Sequence, residues 1–240
     1  MIDPCIAYMD NSPSRDTVSG LPERMMSRGL GVERFWAYKS EFPKTLDNYA
    51  GVFLGGSPHG AYEDLGFIHA EHDFIQRVAD AGLPILGVCF GSQILASALC
   101  ARQVVFRRSR CHVGFLPIHA TEAAQNDALM QGLPAQFRLL TWHNDEVSAD
   151  HVDITLLATA EDASTQVWRY RDQAIWGIQG HPEVTIQNAV PWLGQVSERL
   201  TQDGADADLL ADEIDEGRAG TTMIENFLAI CRRKPPETRE

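Results

Sequence analysis

Apolar residues in the first half of the chain fall into short runs, Cys5 to Met9, Val32 to Tyr38 and Gly51 to Leu54, with a helix-period stretch near Leu21 to Arg28 between the first two. That alternation predicts parallel strands joined by crossovers. Over Phe67 to Ala81, the residues Phe67, Ile68, Phe74, Ile75, Val78 and Ala79 share one side of a helix, while His69, His72, Asp73, Gln76, Arg77 and Asp80 lie largely on the other. Such a helix should pack on a sheet. Gly82 ends it, and the unbroken apolar run Pro84 to Val88 predicts a central strand buried on both faces. Gly91 to Cys100 is apolar almost all round, as a buried helix would be.

The pattern then changes to strand runs at Val113 to Ala120, Arg138 to Trp142, Ile154 to Ala160, Gln166 to Tyr170 and Ala174 to Gln179, and helical periodicity resumes near Asn188. Consecutive strands with short turns predict hairpins or an antiparallel extension. The expected fold is therefore α/β: a doubly wound, mostly parallel sheet flanked by helices, with an antiparallel strand extension, in one domain over 1–240. Asp203 to Gly217 carries seven acidic residues, with Leu209, Leu210 and Ile214 as anchors, and reads as an acidic surface segment without the ligand spacing of a calcium loop. Residues 232–240, charged and containing Pro235 and Pro236, read as a flexible tail.

Composition narrows the function classes. The 240 residues are 44% hydrophobic and carry a formal net charge of -13, a field that repels nucleic acid and anionic membranes. No stretch approaches the roughly 20 apolar residues of a membrane span, and the N-terminus lacks the pattern of a secretory leader. A cytoplasmic protein with a small-molecule or protein partner is expected. The five cysteines form no C-x-x-C pair, so neither a disulfide framework nor a metal knuckle is indicated. Cys5, Cys100, Cys111 and Cys231 read as small buried apolar residues. His69 and His72 read as a solvated helix face, His112 and His119 as structural and His151 as a loop residue, whereas His59 lies in a glycine turn where substrate contact is possible. No metal or cofactor is expected.

Cys89 stands apart. The central strand runs into Gly87-Val88-Cys89-Phe90-Gly91, with a glycine two residues before and two after a nucleophilic side chain at a strand-to-helix junction. That is the pattern of a nucleophile elbow, whose tight turn thrusts the central side chain out at the carboxyl end of the sheet. A helix N-terminus also favours the thiolate. A nucleophile needs a base and the base an orienting partner, which His181-Pro182-Glu183 supplies after the strand Ala174 to Gln179. The turn Gly55-Gly56-Ser57-Pro58-His59-Gly60 follows another strand and can present backbone N–H groups to an oxyanion. No phosphate-binding G-x-x-x-x-G-K-[ST] loop is present.

Gly87 to Gln93, Gly177 to Glu183 and the Gly55-Gly56-Ser57-Pro58 turn together resemble the class I glutamine amidotransferases, and Trp142-His143-Asn144-Asp145 resembles the W-H-x-D stretch of the branch related to the amidotransferase domain of GMP synthase. The resemblance implies a flavodoxin-like fold and residue roles. Cys89 would attack the glutamine carboxamide, His181 would move the proton and Glu183 would hold the imidazole. Gly56 and Phe90 N–H groups would form the oxyanion hole. Gly55, Gln93, His143, Asn144 and Asp145 would bind substrate, the last three as a turn. The sequence departs from the family where Ser92 replaces a common Met or His, and where Gly180 replaces a common Phe or Trp, which would enlarge the site or loosen His181. The function expected first is glutamine hydrolysis through a Cys89 γ-glutamyl thioester, with ammonia passed to a separate synthetase. A free-standing γ-glutamyl amide or peptide hydrolase and a catalytically silent binding module are the alternatives.

Overall fold

The computed structural model describes residues 5–14, 29–213 and 217–233. Nine strands form one sheet in the order β2-β1-β3-β4-β9-β8-β7-β5-β6. The strands are β1 (Cys5–Met9), β2 (Gly31–Phe35), β3 (Tyr49–Leu54), β4 (Ile85–Val88), β5 (Val105–Ala120), β6 (Gln136–Val147), β7 (Ile154–Ala160), β8 (Ala163–Tyr170) and β9 (Ile175–Ile178). The first four and β9 are mutually parallel, and β8, β7, β5 and β6 continue the sheet antiparallel. The order 2-1-3-4-5 of the parallel half is that of flavodoxin-like sheets, which bind ligands outside the carboxyl ends of their strands.

Period-two alternation sends each buried strand's side chains to two separate cores. Ile6, Tyr8, Phe53, Leu86 and Val88 pack on one face with Met223, Ile224, Phe227 and Leu228. Ala7, Met9, Val52, Leu54 and Ile85 pack on the other with Phe67, Ile68, Phe74, Phe90, Ile94 and Leu95. The helices supplying these residues are α1 (Gly66–Asp80), α2 (Phe90–Leu99) and, after α3 (Ile186–Gln202) and the short α4 (Ala207–Asp212), α5 (Arg218–Arg232). The apolar stripe of α1 includes one residue that does not match it. Glu71 is fully buried among Phe67, Phe74 and Ile75, and burial pushes its carboxyl up to about 8 against the opposing pull of the Asn11 hydrogen bond.

Several expectations need correction. The second strand stops at Phe35, and a 3-10 turn over Ala37–Lys39 follows. Strand β5 starts eight residues before the predicted Val113, and β6 runs five residues past Trp142, so His143, Asn144 and Asp145 are strand residues and not a turn. Of the four non-elbow cysteines only Cys231 is buried, and the others are half-buried. His72 is half-buried, whereas His69 is exposed and pairs with Asp64 and Arg102. In the acidic segment Leu210 is an anchor, Leu209 is exposed and Asp206 caps α4. Ile214, the helix expected near Leu21 to Arg28, and residues 234–240 of the tail lie outside the described residues. Among the described residues no helix is long and apolar enough to cross a membrane.

Two glycines let the strand-to-helix turn after β4 close. A Cβ on Gly87 would sit 2.3 Å from the Gly91 carbonyl oxygen, and one on Gly91 would sit 2.1 Å from the Leu54 carbonyl oxygen of β3. Both obstacles are backbone. Gly91→Ala is expected to destabilise the fold by at least about 3 kcal/mol, the upper part of the overpacking range. Gly194→Ala, on α3 where an added Cβ meets nothing within 4 Å, should be neutral or slightly stabilising. Urea midpoints of the pair measure the contrast, and a Gly91→Ala midpoint equal to wild type would show that α2 can lift off β3 without cost.

Candidate active site

Cys89 caps the N-terminus of α2 with φ 55° and ψ -114°, a left-handed conformation that a side chain rarely adopts and that a tight elbow imposes. Its N–H donates to the Ile178 carbonyl at 2.8 Å, tying the turn to the end of β9. The thiol points into a cavity of about 450 Å³ that His181 also lines, 3.7 Å from the Trp142 carbonyl oxygen, and it interacts electrostatically with the His181 imidazole. Beneath the turn, the buried Trp168 indole N–H donates to the Ser92 hydroxyl at 2.8 Å, and a Cβ on Gly177 would collide with both. Ser92 is thus part of the floor that supports the elbow.

His181 is fixed from three sides. Its N–H donates to the Leu140 carbonyl of β6 at 2.7 Å. Its Nδ1 lies 2.8 Å from Glu183 Oε1, which assigns the Nδ1 proton to that bond and leaves Nε2 for the thiol. Between them Pro182 is pressed by α5, where a Cβ on Gly220 would come within 2.4 Å of the Pro182 carbonyl oxygen. The start of α3 holds the next link: Asn188 Nδ2 donates to the Glu183 carbonyl at 2.9 Å, and Asn188 Oδ1 accepts from the Thr185 N–H at 2.7 Å in a capping box. Burial disfavours the imidazolium, but the Glu183 charge and the hydrogen bonds to Cys89 and Glu183 outweigh it and raise the His181 pKa well above its ordinary value.

Gly180 does not open the site. A Cβ there would face Leu139 and the Leu140 carbonyl at 3.1–3.3 Å, so its missing side chain lets β6 approach and grip His181. That is the reverse of loosening it. Gly55 is also not in the cavity wall. Its N–H is spent on the Met9 carbonyl at 2.9 Å, and an added Cβ would meet the Tyr8 hydroxyl at 2.9 Å. Its carbonyl accepts from Asn11 Nδ2 at 3.3 Å, and the same amide donates to the buried Glu71 at 2.9 Å. Because a trans peptide sets N–H opposite C=O, this anchor turns the Gly56 N–H away from Asn11. Gly56 adjoins the elbow, an added Cβ lying 3.8 Å from Cys89 Cβ. Among the described residues neither the Gly56 nor the Phe90 N–H donates to a turn or loop carbonyl.

Gln93, His143, Asn144 and Asp145 all line the cavity, with different freedom. Gln93 Nε2 is committed to the Asp145 carbonyl at 3.1 Å and to Gln179 at 3.3 Å. Both ring nitrogens of His143 are engaged, Nδ1 with the Asp145 carbonyl at 2.8 Å and Nε2 with His112 at 3.1 Å. Burial drives its pKa down to about 3, so it shapes the wall as a neutral ring. Asn144 reaches Asp203 at 3.5 Å. The Asp145 carboxylate, raised by burial and held by Arg107 at 3.4 Å and the Tyr62 hydroxyl at 3.2 Å, still faces the cavity. Among the described residues no group of three or more His, Cys, Asp or Glu is placed to hold a metal.

Sequence patterns did not reveal much of the wall. Asp10, held by Arg34 Nη2 at 2.6 Å, Arg107 from the charged part of β5, and Trp192, Val196 and Arg199 from α3 all line the same cavity. The last three recur at i, i+4 and i+7, the spacing of one helix face, which was a readable signal. His59, in the glycine turn, also lines the cavity, with its Nδ1 3.0 Å from Glu63.

A thiol at a strained elbow and a carboxylate-held imidazole lining the same cavity are groups that can attack an acyl carbon and protonate a leaving amine. The chain is 27% identical to γ-glutamyl peptidase 4 of Arabidopsis thaliana over 92% of its own length and 82% of that protein. It is 26% identical to a glutamine-hydrolysing GMP synthase subunit of Sulfolobus acidocaldarius over 65% of its own length and 78% of that protein. In fold it matches the crystal structure of a glutamine amidotransferase from Thermotoga maritima with a TM-score of 0.82, at 22% identity, over 96% of this chain and 99% of that one. With the Glutamine amidotransferase class-I family model matching residues 16–191, the chain belongs to the class I glutamine amidotransferase family.

Proposed function

We propose that the protein hydrolyses γ-glutamyl amide bonds through a thioester on Cys89. The observation that carries this reading is that the Cys89 thiol and a His181 imidazole whose Nδ1 lies 2.8 Å from Glu183 line one cavity and interact electrostatically. Cys89 Sγ attacks the γ-carbonyl carbon, and Gly56 and Phe90 N–H groups receive the developing oxyanion. The C–N bond breaks as His181 gives its proton to the departing amine. Water then adds to the thioester carbon, passing a proton to His181; the C–S bond breaks, the proton returns to the Cys89 sulfur, and glutamate leaves. Asp145 and Arg107 offer the paired opposite charges that an α-amino and an α-carboxylate group require.

The leaving amine separates two readings of this chemistry. A free-standing hydrolase of γ-glutamyl amides or peptides is favoured by the γ-glutamyl peptidase relative, whose similarity runs over 92% of the chain. Glutamine hydrolysis with delivery of ammonia to a separate synthetase is favoured by the GMP synthase relative. The shared chemistry is tested by acid-quenching the protein during incubation with glutamine and with γ-glutamyl-phenylalanine, then mapping peptides by mass spectrometry. A γ-glutamyl group on the peptide containing Cys89 is expected. No adduct, together with no glutamate from either compound, would sink the proposal.

A further inference from the structure

The wall beyond His181 is built for something larger than ammonia. Whatever leaves from the thioester-forming step takes its proton from His181, so its substituent must lie against the groups next to that ring. Those groups are aromatic: the Trp192 ring centroid is 5.9 Å from that of His181 and 5.7 Å, edge-on, from that of Trp142. Val196, one turn further along α3, continues the apolar surface. The Arg199 guanidinium lies over the Trp142 ring at 5.0 Å and lines the cavity, and among the described residues no carboxylate pairs with it. Trp142 is locked in place from behind, its indole N–H donating to Asp203 at 2.7 Å. Asp203 thus belongs to the construction of the site, although it opens the acidic segment.

Ammonia has no substituent to fill such a wall. The cavity of about 450 Å³ falls in the range of roughly 300–1,000 Å³ that holds ligands larger than one amino acid. The paired charges of Asp145 and Arg107 suit the γ-glutamyl end as proposed above, which leaves the indoles and Arg199 of the same cavity for the leaving group. We infer that Trp142, Trp192, Val196 and Arg199 form a leaving-group subsite for an α-amino acid with an aromatic or bulky apolar side chain, so that the preferred substrates are γ-glutamyl dipeptides. The indoles and Val196 take the side chain, and Arg199 takes the carboxylate one carbon from the scissile nitrogen. This inference rests on the Cys89 chemistry proposed above. The overall reaction balances as γ-glutamyl-amino acid plus water giving glutamate plus the free amino acid, with the C–N bond broken and its nitrogen protonated through His181.

The test compares four substrates, glutamine, γ-glutamyl-glycine, γ-glutamyl-phenylalanine and γ-glutamyl-phenethylamine, the last lacking the leaving-group carboxylate. In the wild type, kcat/KM for γ-glutamyl-phenylalanine should exceed that for glutamine by at least about tenfold. Trp192→Ala should lower it at least about tenfold more than it lowers glutamine turnover. Arg199→Met, at an exposed position, should lower γ-glutamyl-phenylalanine about tenfold and leave γ-glutamyl-phenethylamine within about threefold. Equal losses on all substrates in Trp192→Ala would mean that the wall is only structural. Indifference of γ-glutamyl-phenylalanine to Arg199→Met would remove the carboxylate contact. Glutamine turnover with none of the dipeptide would overturn the subsite alone, whereas no Cys89-dependent glutamate from any substrate would overturn the hydrolase reading beneath it.

Discussion

Cys89→Ala is expected to lower kcat for every γ-glutamyl substrate by about a millionfold, to the limit of detection, the scale on which removing the nucleophile of a comparable three-residue machinery acts. The fold should not suffer. The variant keeps a β-carbon and loses only a thiol that touches His181 and approaches the Trp142 carbonyl to 3.7 Å, so urea midpoints should agree within about 1 kcal/mol. The other thiols are poorly suited to take over. Burial pushes Cys100 and Cys111 up to about 11, with Asp153 and Asp203 adding to it, and burial likewise raises Cys5 and Cys231. Cys111 is the sharpest control because its electrostatic neighbours include Cys89 itself. Cys111→Ala should therefore turn over within about threefold of wild type. A Cys89→Ala protein that keeps more than about one hundredth of wild-type turnover would remove Cys89 from the chemistry.

The parts of the molecule that the sequence made legible are those whose environment is local. Strands β1, β3, β4 and β9 are buried on both faces, so their apolar runs are uninterrupted and their limits are recoverable within a residue or two. The elbow and His181-Pro182-Glu183 are short motifs at strand ends, where a side chain's exposure follows from the strand's direction. The charged part of β5 was illegible for the opposite reason. Phe106-Arg107-Arg108-Ser109-Arg110 has no apolar alternation; Phe106 and Arg107 sit opposite Glu146 and Asp145 of β6, Arg108 forms a side-chain ion pair with Glu146, and the register shifts before His112. Polar His143-Asn144-Asp145 looks like a turn until that ladder is in view. The glycines show the same limit. Gly180 suggests extra room in the cavity, but only the structure shows that its absent Cβ faces Leu139 and Leu140. The α3 wall lies about a hundred residues from Cys89 in sequence, and helical spacing shows that Trp192, Val196 and Arg199 share a face without showing what that face meets.

The His181–Glu183 contact makes the second large prediction, one that couples rate to pH. Glu183→Gln keeps the shape and an acceptor oxygen but removes the charge that most strongly favours the imidazolium, so burial is opposed chiefly by Cys89 and the His181 pKa falls from its wild-type value. An amide can also rotate to present its NH2, which favours the wrong tautomer. For an analogous carboxylate-to-amide change the loss is about 10⁴ in kcat, and a loss of about 10²–10⁴ is expected here. Stability should follow a definite sign. A folded-state pKa raised above the unfolded value of about 6.5 contributes stability that is fully present below pH 6.5 and disappears as pH rises through the raised value. The midpoint gap between wild type and Glu183→Gln should accordingly be widest at about pH 5.5 to 6.5 and should close in alkaline buffer. Urea titrations at several pH values, run beside kcat/KM profiles, measure both effects. A variant within tenfold of wild-type kcat/KM, or a stability gap that widens with rising pH, would show that Glu183 does not hold the proton on His181.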